Sequence, residues 1–182
     1  MKSYDYAKRH GVEEISWQRF ADLSAKLAEM LHSEELEMIL GIARAGLFPA
    51  TAVACALRRE FYPVRVTRRF GDQIKYERPV WRVDVPSAVL GKRVALIDEI
   101  SDSGETLALV AGRASERGAK RVITASMVSH SWADPMPQVT ALVSDALIIF
   151  PWDRWVYLNG KWQIHPELAA ALKLQNLLQE EP

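Results

Sequence analysis

The chain has 182 residues, 49% of them apolar, with 23 basic and 23 acidic side chains and one cysteine. That length suits one domain with a buried core. Balanced charge removes the broad basic field that nonspecific nucleic-acid binding needs, and a lone cysteine excludes an intrachain disulfide and a cysteine-based metal site.

The polar start, MKSYDYAKRHGVEE, does not read as a signal peptide, and no apolar run approaches the roughly 18 residues of a membrane span. The expected location is the cytoplasm, with no nucleic-acid and no membrane partner. Residues 16–31, SWQRFADLSAKLAEML, predict an amphipathic helix. Ser16 stands as its N-cap, and Phe20, Leu23, Leu27, Met30 and Leu31 share one face at 3.6 spacing. Residues 37–42 predict a short buried strand, followed by a turn at Arg44-Ala45-Gly46 and a helix over 48–59 with Pro49 in its first turn. Cys55 lies in the apolar run ATAVACAL and is expected to be a buried small hydrophobe.

Residues 62–68 predict a strand. Residues 70–90, with Gly71, Pro79 and Pro86, read as irregular, and a loop of that length is commonly functional or disordered. A strand over 92–97, a helix over 104–117 closed by Gly118, and strands over 121–128 and 146–150 follow. Strands alternating with helices predict an α/β fold: an open, mainly parallel twisted sheet flanked by helices. The end of the chain differs. Residues 155–158 and 161–164 flank Asn159-Gly160, which accepts the positive φ angles of a type I′ hairpin turn, and residues 167–178 read as helical.

The chemistry concentrates in VALIDEISDSGETLALV, residues 94–110. An apolar strand gives way to Asp98 and Glu99. A third acid, Asp102, precedes Ser103-Gly104-Glu105-Thr106, where a helix begins. Open parallel sheets bind ligands at the carboxyl ends of their strands. Gly104 permits a tight turn, and a helix start presents free N–H groups and a positive dipole end, which suit a phosphate. The other end of the turn suits hydroxyls or a cation, and a phosphorylated sugar supplies both needs. The plainer interpretation makes Asp102 an N-cap, which is expected in either case, and leaves Asp98 and Glu99 on a solvated loop. It does not account for two adjacent acids at a strand's end. Neither a Walker A loop nor GxGxxG occurs.

IDEISDSGETL resembles the phosphoribosyl-diphosphate-binding motif of type I phosphoribosyltransferases, which runs from apolar strand residues through two acids to Asp-Thr/Ser-Gly and a Thr. GIARAGLFPA, residues 41–50, resembles the family's diphosphate-binding loop, and IIFPWD, residues 148–153, resembles the end of the core in xanthine–guanine and related 6-oxopurine enzymes. The resemblance covers roughly residues 37–153. It implies a single domain over 1–182 with that core and a small hood from the chain ends, a homodimer, and phosphoribosyl diphosphate and a base as partners. The implied function is transfer of ribose-5-phosphate to a base, with a non-catalytic regulator that binds the same ligand as the alternative.

The resemblance also implies residue roles. Asp98 and Glu99 hold the ribose hydroxyls, partly through Mg²⁺, while Asp102 sits near the reacting base and handles its proton. Ser101, Ser103, Gly104, Glu105 and Thr106 line the phosphate turn. Arg44 and the Ala45 backbone meet the diphosphate, and Arg68, Arg69 and Lys75 are candidates to reach it from the 70–86 loop. The base pocket falls to His130, Leu147, Trp152 and Asp153. Here the chain departs from the pattern: Ala45 replaces a Gly, His130 stands where a Lys is usual, and Leu147 where an aromatic is usual. Phe150, Trp152 and Trp155 offer aromatic surface over the pocket or pack the hairpin onto the core. His10, His32 and His165 show no ligand spacing.

Overall fold

The structure, a computed structural model, describes residues 9–70, 73–77 and 79–175. Residues 1–8 of the polar start, residues 71, 72 and 78 of the predicted loop, and 176–178 of the predicted last helix lie outside the described residues. In chain order the elements are β1 (Val12–Glu14), α1 (Trp17–His32), β2 (Met38–Ile42), α2 (Leu47–Leu57), β3 (Glu60–Thr67), β4 (Arg69–Phe70), β5 (Gln73–Ile74), β6 (Val80–Val83), β7 (Arg93–Ser101), α3 (Glu105–Glu116), β8 (Arg121–Ser129), β9 (Val139–Val143), β10 (Leu147–Ile149), β11 (Trp155–Leu158), β12 (Lys161–Ile164) and α4 (Pro166–Leu174). They fall into two compact units, Asp22–Val143 and a terminal unit built from the segments up to Ala21 and from Ser144 onward.

The main unit holds a six-stranded sheet in the order β6-β3-β2-β7-β8-β9. Its strands from β3 to β9 are parallel, and β6 closes one edge antiparallel to β3. All five residues of β2, MILGI, are buried, as a central strand covered on both faces requires. Met38, Leu40 and Ile42 join Val94 and Leu96 of β7 and Leu107, Val110 and Ala114 of α3 in one core. Alternate residues turn to the other face. There Gly41 meets α2 so closely that a Cβ would stand 2.9 Å from that of Ala50.

The predicted amphipathic helix forms as α1. Ser16 Oγ accepts a hydrogen bond from the Arg19 amide at 3.1 Å, and Leu23, Leu27 and Leu31 are buried. Met30, placed on the same face by spacing, is 41% exposed. Cys55 is exposed rather than buried, because it lies on the outer side of α2, whose buried residues are Pro49, Ala50, Val53 and Ala54. The 70–90 segment is not irregular throughout: β4 and β5 pair antiparallel, and β6 joins the sheet. Strand β9 was not foreseen.

Asp84 ties the end of β6 to α3. Its carboxylate takes a two-pronged bond from Arg113, Nε at 3.0 Å and Nη2 at 2.7 Å, and a further bond from Arg117. The Arg113 bonds, aided by the Val85 amide and Arg117, hold the Asp84 carboxyl well below the usual carboxylate range. A depressed folded value means that this stabilisation is present above the unfolded pKa and fades as pH falls through the folded one. Asp84→Ala is expected to cost about 1–2 kcal/mol at neutral pH, with the gap from wild type narrowing below about pH 4 in urea titrations. A gap independent of pH would contradict the ion-pair account.

In the terminal unit, β1 pairs parallel with β10, Val12 opposite Leu147. The strand predicted over 146–150 thus has β1 as its partner. Leu147 and Ile149 pack with Leu168 and Ala171 of α4. The predicted hairpin forms between β11 and β12, with φ of +52° at Asn159 and +78° at Gly160. His165 Nδ1 accepts the Glu167 amide at 3.3 Å and so caps α4, a role its sequence context did not suggest. Among the described residues no helix is long and apolar enough to cross a membrane.

Candidate active site

The chain leaves β2 through α2 to β3 on one side, and leaves β7 through α3 to β8 on the other. The strand order therefore reverses between β2 and β7. Loops that diverge at such a point open a crevice beyond the strands' carboxyl ends. Residues 43–46 follow β2, and residues 102–104 follow β7, so the two sequence motifs meet where the topology makes room for a ligand.

Strand β7 is longer than its sequence suggested. It continues past Ile97 through Asp98 and Glu99 to Ser101, while its pairing with β2 stops at Gly41 opposite Ile97. Beyond that point β7 keeps β8 on one side, Asp98 opposite Ser126 and Ser101 opposite Ser129. The turn after β2 closes in on Asp98: a Cβ on Gly46 would lie 2.6 Å from Asp98 Oδ1 and 2.5 Å from the Ile42 carbonyl oxygen. No other residue fits there. Arg44 is exposed at the head of this turn, Ala45 is half-buried, and the Ala43–Arg44 peptide bond is cis.

The two acids differ in setting. Asp98 is 9% exposed, and its Oδ1 accepts the Glu99 amide at 3.0 Å. Burial pushes its carboxyl above the ordinary range, against hydrogen bonds with Glu99 that pull the other way. Glu99 is half-buried. The Ser101 hydroxyl is buried and has no hydrogen-bond partner among the described residues.

Helix α3 then begins at Gly104, which has φ of +82° and no side chain to cap the first amides. Asp102 is not the N-cap, contrary to expectation. The Ser103 hydroxyl is the group nearest that role, accepting the Glu105 amide at 3.4 Å. Asp102 Oδ1 instead accepts a hydrogen bond from Trp132 Nε1 at 3.2 Å. Gly104 is covered by Asp134 and Pro135, whereas Ser103, Glu105 and Thr106 keep contact with solvent. The mouth of the phosphate turn is open.

The other predicted site residues make contacts of their own. His130 is fully buried, its ring stacked on Trp132 at 4.5 Å. Arg68 Nε donates to the Tyr76 carbonyl at 3.1 Å, bracing its own hairpin, and Lys75 is exposed. The Arg69 side chain lies outside what the structure describes. Leu147, Trp152 and Asp153 belong to the terminal unit. Leu147 is spent in that unit's core. Trp152 stacks on Phe150 at 4.8 Å and meets Phe20 and Trp17 at the start of α1, while Trp155 is 49% exposed. Trp132 was missed altogether.

Adjacent carboxylates after β7 and the nearby start of α3, at a reversal of strand order, make a place suited to an anionic ligand that also carries hydroxyls. The chain belongs to the type I phosphoribosyltransferase family: the phosphoribosyl transferase domain matches residues 11–157. It is an enzyme of that class, which transfers a phosphoribosyl group. Among solved structures it is similar to a purine phosphoribosyltransferase from Pyrococcus horikoshii Ot3, 26% identical with a TM-score of 0.71 over 81% of this chain and 98% of that one. Two others share the fold. The Helicobacter pylori xanthine-guanine-hypoxanthine phosphoribosyltransferase is 16% identical, with a TM-score of 0.64 over 79% of this chain and 93% of that one. A hypothetical protein from Neisseria gonorrhoeae with bound ppGpp is 20% identical, with a TM-score of 0.67 over 92% and 98%. No curated protein matches the chain.

Proposed function

We propose that the enzyme moves ribose-5-phosphate from phosphoribosyl diphosphate to a ring nitrogen of a purine base and releases diphosphate. The observation that carries this reading is the contact of the Gly46 turn with Asp98 at the reversal between β2 and β7. It supports the reading because it brings the loop proposed to meet the diphosphate next to the acid proposed to take a ribose hydroxyl.

In this reading the amides of residues 103–106 and the hydroxyls of Ser103 and Thr106 hold the 5′-phosphate at the positive end of α3. Asp98 and Glu99 take the ribose 2′- and 3′-hydroxyls. Arg44, exposed at the loop head, and the Ala45 backbone meet the diphosphate, and a guanidinium fork matches its oxygens. Asp102, fixed by Trp132, accepts the proton that the base gives up as its nitrogen forms the new bond. The likeness to the Pyrococcus purine enzyme favours a purine.

The acid pair fits Mg²⁺, which prefers oxygen donors and usually takes one or two carboxylates together with substrate oxygens. Asp98 and Glu99 would hold it, and a cation there would favour the ionised form that burial disfavours in Asp98. When bound, the ion supplies positive charge to the departing diphosphate. The proposal includes a homodimer, for which exposed Trp155, Tyr157 and Trp162 offer apolar surface.

The test is a diphosphate-release assay with Mg²⁺, phosphoribosyl diphosphate and a panel of hypoxanthine, guanine, xanthine, adenine, uracil and orotate. Release with at least one purine and little with the pyrimidines is expected. Release with orotate or uracil alone would refute the purine assignment, and tight phosphoribosyl-diphosphate binding without release for any base would favour the regulator.

A further inference from the structure

A depression of about 410 Å³ opens at the far end of α3 from the phosphate turn, lined by Ser87, Leu90, Arg113 and Arg117. That volume falls in the range of sites for small molecules. All four residues belong to the main unit. Its walls are tied together through the backbone. The Gly91 amide donates to the Gly118 carbonyl at 2.7 Å and the Lys120 amide to the Lys92 carbonyl at 2.8 Å, while Leu90 pairs with Ala119 in an isolated antiparallel bridge. Val89, at the end of a short 3₁₀ turn from Ser87, is fully buried and anchors the segment. Leu90 is 71% exposed and lies against Gly118, where a Cβ would come within 2.5 Å of its Cδ1.

The two arginines differ in what they have left to offer. Arg113 Nε and Nη2 donate to the two oxygens of Asp84 at 3.0 and 2.7 Å, and Nη1 donates to Glu116 at 3.2 Å. Such bonds lie near the guanidinium plane, so each of its three nitrogens is taken and the group is held still. What it gives the depression is a flat cationic face, which stacks on an aromatic ring. Arg117 donates to Asp84 through Nη2 alone, and its Nε and Nη1 make no hydrogen bond among the described residues. They can supply a charge-assisted contact to an anion. The two side chains start about one helical turn apart, roughly 5.4 Å along the axis. The Ser87 hydroxyl, on an exposed residue, is a further donor. Both arginines stand against Asp84 and Glu116, so no strong positive field remains, and the place suits one anionic group rather than a polyphosphate.

We propose that this depression is a second ligand site, for a nucleoside 5′-monophosphate whose base stacks on the Arg113 face beside Leu90 and whose phosphate meets Arg117 and the Ser87 hydroxyl. The proposal goes beyond the reaction proposed above and does not depend on it, since none of these residues is placed in the crevice. It requires both halves of the ligand. The ring answers Arg113 and Leu90, and the phosphate answers Arg117, so neither a nucleoside nor ribose 5-phosphate fills the site.

The experiment titrates adenosine and guanosine 5′-monophosphates into the whole chain by calorimetry, with the crevice first saturated with Mg²⁺-phosphoribosyl diphosphate. Wild type is expected to bind at least one of the two, with one equivalent per chain. Arg117→Met keeps the stem and loses the charge, and is expected to weaken that binding about tenfold. Leu90→Ser removes the apolar contact and is expected to weaken it roughly fivefold. The matching nucleoside, or ribose 5-phosphate, binds at least about tenfold more weakly than the nucleotide. Amide exchange slows at residues 87–91 and 113–118 when the nucleotide binds. Leu90→Ser keeps the wild-type melting temperature, because so exposed a side chain adds little to the core, and it keeps diphosphate release measured without added nucleotide. No binding to the saturated chain, binding that either variant leaves unchanged, or protection confined to other residues overturns the proposal. A chain that does not bind phosphoribosyl diphosphate overturns the reading of the crevice instead. The same titration of the free chain then decides this site: binding weakened by both variants sustains it, and binding indifferent to either overturns it.

Discussion

Replacing Asp98 by Asn together with Glu99 by Gln is expected to lower kcat/KM by about a thousandfold or more, without weakening the fold. The loss in activity follows from the position of both acids, one on each side of the strand tip that borders the Gly46 turn. Both proposed contacts, to the sugar and to its cation, disappear together. The stability result follows from burial. The folded-state pKa of Asp98 is raised, chiefly by desolvation, so its contribution is fully present below the unfolded value and is lost as pH rises through the folded one. Ionising Asp98 therefore puts a charge where the interior disfavours it, and the uncharged Asn never does. The double variant is expected to melt no lower than wild type, with any advantage growing as pH rises and vanishing in acid. A double variant with normal turnover would end the assignment, and one that melts well below wild type would mean that the acids hold the fold together.

Gly104→Ala should damage both stability and phosphate binding. The left-handed backbone costs a residue with a Cβ roughly 1–2 kcal/mol. At this position the new methyl also meets the Pro135 carbonyl at 2.2 Å, with the Pro135 nitrogen at 2.9 Å, and backbone cannot swing aside as a side-chain tip can. The total is expected to be about 2–4 kcal/mol by urea denaturation, accompanied by a rise of at least tenfold in the KM for phosphoribosyl diphosphate, because the turn proposed to cradle the phosphate must shift. Gly112→Ala is the matched control. It lies within α3 with nothing within 4 Å of its added methyl, so it should stabilise by about 0.5–1 kcal/mol and leave KM alone. Equal effects from the two substitutions would remove the close approach of the 134–135 segment from the account.

Features that depend on nearest neighbours were legible in the sequence. Ser16, the Asn159-Gly160 turn and the strand–turn–helix rhythm of residues 94–117 are read from local chemistry, and all three appear where expected. Features set by distant chain were not. Asp98 and Glu99 break the apolar run, so β7 looked finished at Ile97, yet pairing with β8 carries it to Ser101. Strand β1 has three residues, too few to show a pattern, and so the partner of β10 was hidden. Cys55 sits in an apolar stretch whose outer side no neighbour covers. For Asp102 the expected cap gave way to a hydrogen bond with a side chain 30 residues onward. Trp132 carries no motif of its own, and only the fastening of its loop to residues 101–104 brings it to the site.

The central claim is that the start of α3 cradles the sugar's phosphate while the tip of β7 takes its hydroxyls. Amide hydrogen exchange with and without Mg²⁺-phosphoribosyl diphosphate tests it most directly. Slowed exchange at the amides of residues 103–107, together with residues 44–46, is the expected result. Ligand binding that protects neither stretch and slows exchange elsewhere would contradict the account.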